Sequence, residues 1–297
     1  METKPKSEKI KDVYQLVTNR ILEQLEKGII PWRRTWTDAG LPQNLITRKP
    51  YRGLNVWLLA SLGYVQNFFL TYQQLKEVGG TVKKDEKPYL VVYFKWIETG
   101  DQNGEEKFKK PFLRYFKVYN VAQCNGIKKE IIPRILKPNH PIEDCKFIVE
   151  SMPNLPLIVF RNNDPYYHPE GDYINMPAIE YFDSSVAYYE TLFHELVHST
   201  GHKSRLNRKE IMEKHRFGSE QYAIEELTAE FGSCYIQSIA GIQEKLGENS
   251  AAYIQNWYAV LKKNPRLVVY AGSQAQKAVD YILDFENHRM VTDNSKG

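Results

Sequence analysis

The chain has 297 residues, of which 42% are hydrophobic and 26% charged, ordinary proportions for a soluble globular protein with room for two domains. Its mean hydropathy is −0.52, its most apolar stretch (residues 54–70) is interrupted by polar residues, and its start resembles no secretory signal, so we expect a cytoplasmic protein without a membrane partner. The net charge of +4 conceals an asymmetry, because residues 1–140 hold 25 Lys and Arg against 14 Asp and Glu, whereas the remainder holds 15 against 22.

The basic front of the chain has the patterns of three helices followed by two strands. In the first segment, apolar residues recur at helical spacing and Gly28 is a natural end. Thr71 is a typical helix start, and the glycine pair at 79–80 a typical end. Two later segments are rich in β-branched and aromatic residues. The predicted elements are helices over residues 8–27, 54–62 and 71–80, and strands over residues 89–96 and 112–119.

The acidic back of the chain follows a stretch, residues 125–156, that contains five prolines. Such a stretch is typical of a linker, so we predict two domains, residues 1–135 and 136–297, in an α+β protein. Beyond it, short apolar runs predict strands, and longer amphipathic segments predict helices. These elements are strands over residues 155–160 and 172–176, helices over residues 184–200 and 219–240, and a helical region over residues 251–288 with a break near residues 264–265.

The helix over residues 184–200 contains the pattern HExxH. His194 and His198 are four residues apart, so that both imidazoles lie on one face of the helix and can reach one metal ion. Glu195 stands beside the open coordination position, where it can take a proton from metal-bound water. The pattern predicts a Zn²⁺ site with Glu195 as general base, which is the arrangement of a zinc metallopeptidase.

A catalytic zinc ion needs a third protein ligand. The extended pattern HExxHxxGxxH would place it at position 204, which is a serine, so we look to a glutamate on the helix over residues 219–240. The segment ELTAE there, residues 226–230, resembles the pattern of glutamate-type zincins, which implies that Glu226 binds the metal and that Glu230 orients His194 or His198. Glu225 is the competing ligand, because a shift of one residue rotates a side chain by about 100° around the helix.

A second set of residues, in the basic front, combines cations with aromatic rings. Lysine and arginine bind phosphates, and aromatic faces stack on unpaired bases, so this combination favours single-stranded nucleic acid. The set is expected to bind single-stranded nucleic acid. Its members are Trp32, Arg33, Arg34, Trp36, Arg48, Lys49, Tyr51, Arg52, Lys83, Lys84 and Lys87.

These motifs stand in an order that resembles the ArdC-type antirestriction proteins of conjugative plasmids and mobile elements. The matching segments are PWRRTW, NLITRKPYRGLNVWLL, TYQQLKEVGGTVKKDEKP, YFKVYNVAQ, YYETLFHELVHSTGHKSRLNR and FGSEQYAIEELTAE, which together cover nearly the whole length. The resemblance implies an N-terminal domain that binds single-stranded DNA and a C-terminal zincin-like metallopeptidase domain. It also implies protection of incoming DNA from host restriction during conjugation.

Two classes of function remain open at the level of sequence. As an enzyme, the protein would cut a peptide bond in a host protein, such as a restriction component. As a binding protein, it would coat DNA or sequester a restriction component, and its metal site would be structural or vestigial.

Overall fold

A computed structural model describes the protein over residues 13–32, 41–99, 108–133, 141–213, 219–242 and 251–284. Across these segments every helix is either too short or too polar to traverse a lipid bilayer. The helices in chain order are α1 (Val13–Glu26), α2 (Leu54–Ala60), α3 (Tyr72–Glu77), α4 (Pro141–Ser151), α5 (Ser185–Ser199), α6 (Lys209–Met212), α7 (Glu220–Ala240), α8 (Ala251–Lys263) and α9 (Leu267–Ile282).

The strands form one four-stranded sheet, one two-stranded sheet and one three-stranded sheet within the described residues, in the orders β1-β2-β5-β4, β3-β6 and β7-β9-β8. In the first sheet β4 and β5 form a long antiparallel hairpin. The strands are β1 (Gln43–Asn44), β2 (Phe68–Thr71), β3 (Thr81–Val82), β4 (Tyr89–Thr99), β5 (Phe108–Asn120), β6 (Cys124–Asn125), β7 (Leu157–Val159), β8 (Tyr166–His168) and β9 (Tyr173–Asn175).

The ends of the helices follow the signals in the sequence. Thr71 caps α3 in a reciprocal capping box with Gln74. Its hydroxyl accepts the backbone N–H of Gln74, which has no carbonyl partner within the first turn of the helix. Ser184 and Ser219 cap α5 and α7 in the same way through their side chains. Gly241 ends α7 in the left-handed conformation, which glycine adopts without a steric penalty.

The predicted helices and strands are confirmed in the residues that the structure describes, and both hairpin strands are longer than predicted. The start of the first helix, residues 8–12, and the end of the last helical region, residues 285–288, lie outside those residues. Seven helices and strands of the described residues were missed, namely α4, α6, β1, β2, β3, β6 and β8. The proline-bearing stretch contains α4, which begins at Pro141, a residue that is favourable at the first position of a helix. The strand β8 lies in a segment, residues 166–168, that we had not assigned.

A hydrophobic core joins the front helices to the back helices. It contains residues of α1 and α2 together with residues of α7, α8 and α9. At its centre the ring of Phe231 stacks on Trp57, with a centroid distance of 4.4 Å, and meets the edge of Trp32 at 5.2 Å. The N-terminal helices therefore support α7, which also carries part of the candidate site described below.

Candidate metal centre

The pattern HExxH lies on α5, and its two histidines point into the same space. The Nε2 atoms of His194 and His198 are 3.1 Å apart. Glu226 of α7 faces them, with carboxylate oxygens 3.7 Å from His194 Nε2 and 3.8 Å from His198 Nε2. The three side chains can therefore present one donor atom each to a single ion.

The approach of α7 to α5 depends on a small residue at the contact. Gly232 of α7 faces Val197 of α5, and a Cβ atom at Gly232 would lie 2.7 Å from Val197 Cγ2. One residue farther along, the Ser233 hydroxyl donates a hydrogen bond of 3.0 Å to the carbonyl of Glu190. These two contacts hold the helices close enough for Glu226 to reach the histidines.

The donor set fits a divalent metal ion. Two imidazole nitrogens and one carboxylate oxygen form the protein ligands of many catalytic zinc sites, which leave a fourth position open. A tetrahedral zinc ion bound at about 2.0–2.1 Å would hold its donors roughly 3.3 Å apart, and the two imidazole nitrogens, 3.1 Å apart, are near that spacing. The two carboxylate oxygens of Glu226 lie somewhat farther away, Oε2 at 3.7 Å from His194 and Oε1 at 3.8 Å from His198.

The Nδ1 nitrogen of His198 contacts Glu225, which the sequence offered as the alternative to Glu226 as metal ligand. His198 Nδ1 lies 3.0 Å from a Glu225 oxygen. An ionised carboxylate can only accept, so Nδ1 carries a proton, and in the neutral imidazole Nε2 is the nitrogen left to bind a metal ion. Glu225 thus orients a ligand, which is the function that we had predicted for Glu230. The function of Glu230 itself stays a prediction.

Arg208 compensates the buried charge of Glu225. Its guanidinium donates to both carboxylate oxygens, at 2.9 Å from Nε and 2.6 Å from Nη2. The same group donates to the Val197 carbonyl at 2.8 Å and to the Thr200 hydroxyl, so it also ties the end of α5. Both Arg208 and Glu225 are buried, and such a bidentate pair is strong where water is excluded.

The charges around the site shift the pKa values of its members. Burial would lower the pKa of His198, but the hydrogen bond and charge of Glu225 raise it to about 9. Burial raises the pKa of Glu225, yet Arg208 and His198 bring it below its usual value. Burial and the negative charge of Glu226 raise the pKa of Tyr222 to about 12. The Tyr222 hydroxyl therefore keeps its proton at neutral pH and can donate a hydrogen bond beside Glu226.

A second polar network lies beside the end of α5. Asp172 accepts hydrogen bonds from Arg205 and from the Tyr167 hydroxyl, the latter at 2.9 Å. Arg205 also donates to the Ser199 carbonyl at 2.7 Å, and His202 Nδ1 is 3.6 Å from Asp172. This network fixes the loop after the helix, where His202 lies outside the three-residue cluster.

Sequence reasoning missed Glu225, Arg208 and Arg205 as supports of the site. The two arginines stand in the loop segment HKSRLNR after the histidine motif. Two arginines so close to the histidine motif could have indicated partners for its carboxylates. The sequence could not show which carbonyl or carboxylate each arginine reaches, because that depends on the path of the loop.

The residues predicted to bind DNA are not equally available. Trp32 is fully buried against Phe231 and Trp257, so its prediction as a stacking platform is wrong: its indole fills the core instead. Arg33, Arg34 and Trp36 lie outside the described residues. Lys49, Lys84 and Lys87 are exposed.

The remaining members of that set make contacts within the protein. Arg52 forms an ion pair with Asp280 of α9. The side chains of Arg48 and Lys83 donate to backbone carbonyls, those of Ile131 and Ala122. Tyr51 is half-buried and meets Phe69 edge-on. The structure therefore gives these four residues roles in holding the fold, beside any contact with a ligand.

Two protein families match the two parts of the chain. Residues 11–119 match the N-terminal domain of anti-restriction factor ArdC, and residues 156–274 match a zincin-like metallopeptidase family. The fold and the site thus define a two-domain protein whose C-terminal domain is of the zincin-like metallopeptidase class.

Solved structures resemble the whole chain. The metal-free crystal structure of the antirestriction protein ArdC from plasmid R388 is 37% identical, covers 92% of this chain and 97% of its own, and superposes with a TM-score of 0.71. The Mn(II)-bound structure of that protein is 36% identical, with corresponding coverages of 92% and 98% and a TM-score of 0.72. The chain belongs to the ArdC family of antirestriction proteins.

Two related proteins differ in how much of their own length this chain matches. Protein y4eC of Sinorhizobium fredii is 32% identical over 91% of both chains. A DNA primase TraC of Escherichia coli is also 32% identical, over 94% of this chain but only 20% of its own. The chain thus corresponds to about a fifth of that primase.

Proposed function

We propose that the protein is an antirestriction protein of a mobile element that binds single-stranded DNA and carries a zinc-dependent peptidase site. In this proposal His194, His198 and Glu226 hold Zn²⁺, and Glu195 is the general base. The convergence of three donor atoms from α5 and α7 on one position is the observation that carries it. The ArdC family supplies the antirestriction role, and protection of incoming DNA during conjugation is its proposed setting.

When bound, the metal ion polarises a peptide carbonyl and lowers the pKa of a coordinated water to about 7. Glu195 is 7% exposed and lies on α5 between the two histidines, where a carboxylate can accept the proton of that water. Glu225 holds a proton on Nδ1 of His198, so His198 would bind the ion through Nε2 once that nitrogen has given up its own proton. In this proposal His194, His198 and Glu226 bind the ion, Glu225 orients His198, and Glu195 transfers the proton.

Single-stranded DNA is the proposed partner of the N-terminal domain. Residues 1–140 have a net charge of +11, from 25 basic and 14 acidic residues, which favours a polyanion. The similarity to a DNA primase over nearly the whole of this chain supports the same partner. A host restriction component is the proposed substrate of the peptidase site.

A Glu195→Gln variant tests the enzymatic part of the proposal. The amide cannot accept the water proton, so we expect protection of transferred DNA from restriction to fall to the level of a strain without the protein. Metal content, measured by atomic emission, should stay at one zinc ion per chain, because Glu195 is not a proposed ligand. His194→Ala is the matched comparison and should lose both metal and protection.

A second function, DNA binding with a structural metal, is favoured by one observation. The helix that carries Glu226 also packs its Phe231 against Trp32 and Trp57 of the front helices, so an ion at Glu226 would brace the shared core. Full protection by Glu195→Gln with zinc still bound would reject the peptidase and support this alternative.

A further inference from the structure

The hairpin of β4 and β5 continues beyond the four-stranded sheet as a two-stranded ribbon. Pairing of β2 with β5 covers the register from Asn120 to Val118, whereas β4 and β5 remain paired as far as Thr99 and Phe108. The side-chain amide of Asn55 fixes the root of the ribbon, through bonds of 2.7 Å to both the N–H and the carbonyl of Val92. Among the described strands, β4 and β5 therefore pair only with each other beyond Val118, and Asn55 anchors the ribbon at its root.

Three exposed residues share one face of this ribbon. Tyr93 lies directly opposite Arg114, and Phe116 lies opposite Val91, two residues before Tyr93. Since side chains alternate between faces along a strand, Tyr93, Arg114 and Phe116 stand on the same side. Tyr93 is 49% exposed, Phe116 is 50% exposed and Arg114 is also exposed. We call these three residues the Tyr93 face.

The chemistry of the Tyr93 face matches an unpaired polynucleotide. Aromatic rings that are about half exposed can stack on bases, and an arginine beside both of them can bind a phosphate. The two strands together contain five lysine or arginine residues and one glutamate. This positive charge balance favours a polyanion over a neutral or basic protein surface as the occupant, and the exposed aromatic rings favour a polyanion that carries bases.

We propose that the Tyr93 face binds single-stranded DNA, with bases stacked on Tyr93 and Phe116 and a phosphate beside Arg114. The inference rests on the proposed DNA binding of the N-terminal domain and identifies the surface that performs it. It also assigns base stacking to exposed rings, whereas the ring of Trp32 is buried in the core.

Binding of a fluorescently labelled oligothymidine to the full chain, followed by anisotropy, tests the assignment. Base stacking contributes about 1–3 kcal/mol, so Tyr93→Ala and Phe116→Ala should each weaken binding by roughly 5- to 150-fold. Tyr93→Phe keeps the ring and should bind like the unsubstituted chain. Arg114→Ala should reduce the slope of log affinity against log salt by about 0.7.

The opposite face of the same ribbon provides matched controls. Tyr115 and Lys117 are neighbours of the proposed residues and are exposed, Tyr115 at 39%, but alternation places them on the other side. Tyr115→Ala and Lys117→Ala should therefore leave the stacking contribution intact. Far-UV circular dichroism and melting temperature should be alike in all variants, since every substituted side chain is at the surface.

Each other outcome overturns the inference in a distinguishable way. An unsubstituted chain that fails to bind the oligonucleotide rejects the proposed DNA binding together with this surface. Normal affinity in Tyr93→Ala and Phe116→Ala, with loss in Arg33→Ala or Arg34→Ala, rejects the surface alone. Normal DNA affinity combined with an altered oligomeric state in light scattering would assign the face to a second copy of the chain.

Discussion

Single carboxylates determine how the candidate metal centre is presented. Adjacent residues of α7 do different things, because Glu226 faces the Nε2 atoms whereas Glu225 binds His198 from behind, at Nδ1. Their side chains leave the helix about 100° apart, and both directions are used. Helical spacing alone could not show which of the two faced the metal position, and only the resemblance to glutamate-type zincins implied Glu226.

Glu225→Gln should weaken zinc binding by about 10- to 100-fold, the usual effect of losing a partner that orients a ligand histidine. The amide keeps the shape but removes the charge that holds the proton on His198 Nδ1, and it leaves Arg208 without its ionic partner. Competition with a chromophoric chelator measures the change. Glu230→Gln is the matched control, since the sequence had assigned the orienting function to Glu230. A larger loss in Glu230→Gln than in Glu225→Gln would contradict our assignment.

At the scale of whole elements, the site depends on how closely α5 and α7 approach. The amphipathic spacing of apolar residues predicted both helices, because that signal is local. Their mutual distance was not predictable in the same way, since it depends on which residues meet. The contact between Gly232 and Val197 is one that sets this distance, and it can be recognised only in the three-dimensional structure.

Gly232→Ala should therefore separate the helices and weaken the metal site. The added methyl group would lie 2.7 Å from Val197 Cγ2, and overpacking of this kind costs about 1–3 kcal/mol in the free energy of unfolding. Urea denaturation and zinc affinity measure the two consequences. The double variant Gly232→Ala/Val197→Ala frees the space and should recover much of both, so a double variant no better than Gly232→Ala would argue against a steric cause.

At the scale of the whole molecule, the front and back of the chain share one core. The sequence predicted two domains from the proline-bearing stretch, and the two family matches show an N-terminal and a C-terminal domain. The boundary between residues 135 and 136 stays a prediction. The sequence did not predict the shared core, because an aromatic residue among arginines has the same pattern whether it stacks on a base or fills a core. Trp32 does the latter, since α1 brings the segment that follows it against α7 and α8.

Trp57→Ala tests whether this shared core couples the two domains. Removing a buried tryptophan typically costs about 3–5 kcal/mol, a large part of the 5–15 kcal/mol that holds a protein folded. Phe231 stacks on Trp57 and lies on the same helix as Glu226. In Trp57→Ala we therefore expect the urea concentration at which zinc is released and the concentration at which the helical circular dichroism signal is lost to fall by the same amount. Phe160→Ala, at a site that is 61% exposed, should change stability by no more than about 0.5 kcal/mol. If Trp57→Ala shifts the helix signal while zinc release stays at the concentration of the unsubstituted protein, the domains unfold independently and the coupling is refuted.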